Sequence, residues 1–218
     1  MRERLLEVRR LGRFAYDAGL VLQKELETKV IDRRARDYLL LLEHPHTFTL
    51  GRRALGGDGV LATPDVLKKI DAQVFQTNRG GKVTYHGLGQ IVGYPVINLA
   101  AGRKDVHRYV RELEEVLIRT MNDFGIEAFR IEGLTGVHTD EGKVAAIGVH
   151  IKRWVTTHGF ALNVNTDLSY FNWIIACEGE PVTSMEQLLG RELTLAEVED
   201  KIVKNFKDVF DYEKIEEE

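Results

Sequence analysis

The sequence predicts a mixed α/β (α+β) domain, a mixed sheet flanked by helices. Three observations carry that expectation. Short β-branched and aromatic runs, broken by glycine and proline, follow one another between residues 37 and 165. Helical periodicity stands before, between and after those runs. No internal repeat, low-complexity segment or Pro/Ser-rich linker divides the 218 residues, so 1–218 reads as a single domain.

Taken in order, FAYDAGLVLQKELET (14–28) places Ala15, Ala18, Leu22 and Leu26 near one face of an amphipathic helix. DYLLLLEHP is too short and too uniformly apolar for a surface helix, and reads as a buried strand stopped by Pro45. TFTLG follows as another strand. Pro64 suits the first turn of a short helix. AQVFQT, KVTYH and QIVGYPVINL are strand-like. Asp105 caps a long helix that stops at Gly125, with Val106, Tyr109, Val110, Leu113, Leu117 and Met121 as its apolar stripe. GIEAFR, TGVHTD, KVAAIGVHIKRWV and THGFALNVN read as strands with glycine breaks, and Glu141–Lys143 as a tight turn between two of them. Thr194 and Glu197 form a capping box ahead of a last helix. The acidic end, EKIEEE, is expected to be frayed and solvated.

Composition narrows the class. The net charge is −4 and 44% of residues are hydrophobic, enough for a proper core. No apolar run approaches the ~18 residues of a membrane span, and MRERLLEVRRLGRF lacks the apolar stretch of a secretory signal. There is no basic footprint for nucleic acid. A single cysteine excludes an internal disulfide and a Cys-paired zinc site. The expectation is a soluble cytoplasmic protein with no nucleic-acid or membrane partner.

The lone Cys177 lies in NWIIACEGEP, after an apolar stretch and before a glycine-proline turn. One reading makes it a small buried hydrophobe; the other makes it a reachable nucleophile. A free thiol of pKa near 8.5 is only about 3% thiolate at pH 7. Lowering that to about 7 takes about 2 kcal/mol of preferential thiolate stabilisation, which a neighbouring cation supplies. Seven histidines are available, of which His86 and His158 are best placed because both adjoin glycines. Lys143, at the mouth of a strand, is the other option, although alone it reads as a solvated turn lysine. Composition does not choose between these pairs. RGGKVTYHGLGQ is neither a P-loop nor a Rossmann fingerprint. Its glycines suit a backbone lying flat against an elongated apolar ligand, with Val83 and Tyr85 as apolar surface. Arg79 reads either as a ligand anchor or as an ordinary salt-bridge partner. No metal triad emerges.

Three blocks stand in order: HPHTFTLGR (44–52), RGGKVTYHGLGQIVGYPVINL (79–99) and GKVAAIGVHIKRWVTTHGFALNVNTDLSYFNWIIAC (142–177). Together they resemble the signature blocks of the octanoyltransferases of lipoate biosynthesis, the lipoate-protein ligase B family. The resemblance implies the α/β domain shared with lipoate and biotin protein ligases. It implies that a cysteine takes an octanoyl group from octanoyl-acyl carrier protein as a thioester and passes it to a lysine of a lipoyl domain. Carried over, the nucleophile is Cys177 and the lysine that lowers its pKa is Lys143. The substrate contacts become Arg79, Gly80, Gly81, Lys82, Val83, Thr84, Tyr85 and His86, then Ala146, Ile147 and Gly148, then Gly159, Phe160 and Ala161. Neither cofactor nor metal is implied. The chain departs from the family pattern at Ala176 and Glu178 beside the cysteine, at Leu88, and at His138. Two alternatives stay open: an ATP-dependent lipoate or biotin protein ligase on the same fold, and a non-catalytic binder of acyl carriers or lipoyl domains. Arg52, Arg53, Lys152 and Arg153 are available for a basic dock.

Overall fold

The computed structural model describes residues 4–32, 36–54, 59–100, 103–175 and 181–218. Ten strands and five α-helices follow one another along the described chain: β1 (Leu5–Arg13), α1 (Tyr16–Ile31), β2 (Asp37–Glu43), β3 (Thr47–Leu50), α2 (Pro64–Lys69), β4 (Gln73–Gln76), β5 (Val83–His86), β6 (Gln90–Val96), α3 (Val106–Asp123), β7 (Val137–Thr139), β8 (Gly142–Lys152), β9 (Val155–Asn163), α4 (Met185–Leu189), α5 (Leu195–Phe210) and β10 (Lys214–Glu217). A seven-stranded sheet runs β10-β1-β2-β6-β9-β8-β7, and a three-stranded sheet runs β4-β3-β5. The large sheet is parallel at β10-β1-β2 and antiparallel from β2 to β7.

The run of four leucines in β2 has a simple cause. Side chains alternate across a strand, so Leu39 and Leu41 enter the core beneath α3 and α5, while Leu40 and Leu42 enter the core beneath α1. A strand buried on both faces needs apolar residues at every position. A third cluster, around Phe48, Leu50, Val83 and Tyr85, belongs to the small sheet. Pro64 opens α2 behind the Thr63 cap, Asp105 accepts from the Arg108 amide at α3, and Thr194 with Glu197 makes the capping box of α5.

The structure corrects several sequence expectations. On α1, Ala15 and Ala18 are exposed; the buried face carries Tyr16, Gly19, Gln23, Leu26, Glu27 and Val30. Two of its polar members have partners: Gln23 Oε1 accepts from the His158 amide and Glu27 pairs with Lys24. Val106, in the first turn of α3, is exposed. GIEAFR forms no strand. It makes only a bridge from Phe129 to His138, and Ile126 and Ala128 fill the core beside α3. KVAAIGVHIKRWV is interrupted by a hairpin turn at Arg153 and Trp154, both at positive φ, as a type I′ turn requires. The N-terminal segment, read only as charged, is β1. The acidic end is not frayed: β10 pairs with β1 in parallel register from Leu5↔Lys214 to Val8↔Glu217. Its acids meet arginines, Glu217 with Arg10 and Glu218 with Arg9.

Candidate active site

A cavity of about 240 Å³ lies in the seam between the two sheets. Its walls come from β5 and the loop before it, from β8 and β9, and from Tyr16 on α1 and Tyr94 on β6. The seam is sewn by main chain: the Gly80 amide donates to Val149 O at 3.0 Å. Gly148 lies so near that a methyl group there would come within 2.9 Å of Gly80 O.

All but two of the described residues expected at a substrate site line this cavity: Arg79, Gly81, Lys82, Val83, Thr84 and His86, then Ala146, Ile147 and Gly148, then Gly159, Phe160 and Ala161. Gly80 and Tyr85 do not. Gly80 is spent on the seam. Tyr85 turns into the small-sheet core, stacks on Tyr170 and hydrogen-bonds His46 Nδ1 at 2.6 Å, because alternation along β5 carries it away from the side that His86 faces. In the glycine-rich stretch Gly81 borders the cavity, whereas Gly93 instead receives the Phe160 ring.

Arg79 is buried. It donates from Nη2 to Thr49 O at 2.7 Å and from Nη1 to Gly80 O at 2.9 Å, which clamps the loop to β3. His86 and His158 also line the cavity. His86 Nδ1 hydrogen-bonds Gln90 Oε1, and His158 Nε2 hydrogen-bonds Asn78 Oδ1. Burial holds the His86 imidazole well below its usual range, with the His44 ring adding to the effect. Burial likewise lowers His158 to about 4, helped by the Arg79 charge. Both rings are therefore neutral near pH 7.

Lys143 lines the cavity from the start of β8. Its amide donates to Pro181 O at 2.9 Å and its carbonyl accepts from the Thr183 amide at 3.0 Å. Its side chain runs past Gly136: a methyl on Gly136 would come within 2.6 Å of Lys143 Cε. Cys177, with Ala176 and Glu178, lies outside the described residues. The described flanks of that segment are well held. Ile174 and Val182 both line the cavity, Val60 bridges Ile174, the Ile175 amide donates to Gly59 O, and Val182 bridges Lys143.

Sequence reasoning missed Tyr16 and Tyr94, both buried, and Leu134 and Thr135 of the loop before β7. It also missed a buried relay. Gln90 donates to Asn163 Oδ1, Asn163 donates to Thr183 O, and the Thr183 amide donates to Lys143 O. That chain ties His86 to the strand carrying Lys143. Among the described residues no acidic side chain lines the cavity.

The fold is an α/β domain with a more apolar than polar cavity that Lys143 lines. Comparison with known proteins carries this further. The chain belongs to the lipoyl protein ligase A/B catalytic domain family, whose pattern matches residues 15–207. It is 51% identical to an octanoyltransferase of Solibacter usitatus over 94% of this chain and 93% of that one. It is 45% identical to an octanoyltransferase of Caldicellulosiruptor bescii over 92% and 89%. A bipartite lipoate protein ligase of Thermoplasma acidophilum shares the fold, with a TM-score of 0.72 at 18% identity over 100% of this chain and 86% of that one. By these relatives the chain is an acyltransferase.

Proposed function

We propose that this protein transfers an octanoyl group from octanoyl-acyl carrier protein, through a thioester on Cys177, to a lysine of a lipoyl domain. The observation that carries the reading is convergence. Residues from both glycine-rich blocks, Lys143, and the two described flanks of the Cys177 segment line one cavity. The octanoyltransferase relatives supply the acyl group and the lipoylation context.

The Cys177 thiolate attacks the thioester carbonyl. A carbon–sulfur bond to Cys177 forms, the bond to the carrier's phosphopantetheine sulfur breaks, and that thiolate leaves. An ammonium at Lys143 favours the attacking thiolate and gives its proton to the departing sulfur. The neutral Lys143 amine then accepts a proton from the incoming lysine. That lysine forms the amide bond as the Cys177 thiolate is released. The first exchange, thioester for thioester, is nearly balanced; amide formation drives the second. The neutral state of His86 and His158 supports Lys143 as the cation, because an imidazole far below its ordinary pKa carries little charge at pH 7.

Incubation with octanoyl-acyl carrier protein should add the mass of one octanoyl group, located on Cys177 by peptide mapping. Full activity in Cys177→Ala would end the proposal.

A further inference from the structure

Among the described residues, four rings with polar atoms line the cavity: Tyr16, His86, Tyr94 and His158. Two of them are committed elsewhere. The Tyr94 hydroxyl donates to His44 Nε2 at 2.8 Å, because His44 Nδ1 donates to Phe14 O. His158 Nε2 is bound to Asn78, and its Nδ1, although without a partner, is sealed from solvent.

Tyr16 and His86 differ. They are only 3% and 6% exposed, and their rings stack with centroids 5.9 Å apart. Among the described residues the Tyr16 hydroxyl has no hydrogen-bond partner, yet it is not sealed from solvent. His86 Nδ1 donates to Gln90 Oε1, since Gln90 Nε2 is given to Tyr85 O and Asn163 Oδ1. In a neutral ring that leaves His86 Nε2 as a bare acceptor, likewise without a partner and likewise not sealed. A donor and an acceptor therefore stand side by side at the cavity wall, and the protein satisfies neither.

Their place in the cavity gives them a role. Lys143 stands on β8, joined to Pro181 and Val182, which follow the Cys177 segment. His86 is tied to Gln90 on β6. Between those strands lies β9, whose Gly159, Phe160 and Ala161 line the cavity. Two strand spacings, about 10 Å, separate β8 from β6, a span on the order of an extended eight-carbon chain. An acyl group with its carbonyl beside Lys143 and its tail across β9 ends at His86 and at Tyr16, which stacks on it from α1.

We infer that Tyr16 and His86 read the length of the acyl chain. A hydroxyl group or a water both accepts and donates, so one such group serves the Tyr16 O–H and the His86 lone pair together. Octanoyl leaves a water in that place. A longer methyl-ended chain displaces the water and leaves two buried polar atoms unpaired, which weakens binding. A chain of that greater length with a terminal hydroxyl takes over the water's hydrogen bonds. The inference rests on the octanoyl-transfer reading and adds what sets the chain length.

Single-turnover acylation of Cys177 is measured with octanoyl-, decanoyl- and ω-hydroxydecanoyl-acyl carrier protein. In the wild type the second-order rate constant should fall at least ~10-fold from octanoyl to decanoyl, and the terminal hydroxyl should restore at least ~5-fold. A purely apolar end wall gives the reverse order for the two ten-carbon chains, because it strips water from the hydroxyl without replacing it. In Tyr16→Phe the octanoyl-to-decanoyl ratio and the preference for the hydroxyl should both shrink at least ~3-fold. A ring that only supported the fold would slow all three donors alike. Decanoyl accepted as well as octanoyl, no gain from the hydroxyl, or ratios unmoved by Tyr16→Phe would each overturn the end wall, while acylation by octanoyl leaves the transfer reading standing. A wild type acylated by none of the three overturns both. Should Tyr16→Phe fail to fold, the wild-type comparison of the two ten-carbon chains decides alone.

Discussion

Lys143 is held by its backbone and along its stem. Its backbone is locked between Pro181 and Thr183, and its stem lies against Gly136, whose amide donates to the buried carboxylate of Glu114 at 3.1 Å. That restraint suits the thiolate-stabilising role proposed for Lys143. In Lys143→Ala the alkylation rate of Cys177 should titrate with a higher pKa, and transfer should fall at least ~100-fold, the scale of general acid–base contributions. An unchanged alkylation profile would hand the role to a histidine. The histidines make their own prediction. His44 and His158 are each lowered by burial to about 4. Between that value and about 6.5 the unfolded chain binds protons that the native rings refuse, so stability falls as pH drops through this window. The loss is up to about 1.4 kcal/mol per pH unit for each ring. Urea unfolding at pH 7 and pH 5 should show a large decrease for the wild type and a smaller one for His158→Gln. Equal slopes would mean that the buried ring is not the source.

At the scale of elements, the two ends of the chain teach most. EKIEEE carries no apolar period and reads as solvated, yet it forms β10 because its partners lie on β1, with Arg9 and Arg10 facing its acids. β1 was equally illegible: MRERLLEVRRLGRF alternates charges with Leu6 and Val8, and only those two side chains enter the core fully. Pairings across nearly the whole chain leave no local trace. By contrast β2, α3 and the capping box of α5 are legible because burial on both faces, a capping aspartate and a Thr–Glu pair are local signals. Removing residues 214–218 should cost about 1–2 kcal/mol, since exposed ion pairs contribute little and the loss is mainly edge hydrogen bonds with the half-buried Ile215. That corresponds to a melting temperature lower by roughly 2–8 °C for a chain of this size. An unaltered melting curve would restore the reading of a solvated end.

Across the whole molecule, the site is a property of the seam between sheets, and this explains which of its residues the sequence revealed. The glycine-rich loop and the β8–β9 blocks are contiguous motifs, so a family resemblance carries Arg79, His86, Ala146, Gly148 and Phe160, which line the cavity, whereas their residue types alone leave Arg79 and His86 ambiguous and do not mark the other three. Tyr16, Tyr94, Ile174 and Val182 arrive from four separate segments, and nothing local in any of them marks a cavity. The seam also predicts a vulnerability. At Gly148 an added methyl would stand 2.9 Å from Gly80 O and 3.2 Å from Arg79 Cδ. Neither neighbour yields easily: Gly80 is bound to Val149, and Arg79 is clamped to Thr49. Gly148→Ala must therefore part the small sheet from the large one by a few tenths of an ångström, an overpacking cost of about 1–3 kcal/mol. Because the same parting displaces the cavity walls, single-turnover acylation should slow along with the loss of stability. A variant that melts like the wild type and is acylated at the wild-type rate would show that the two sheets are not in firm contact at this point.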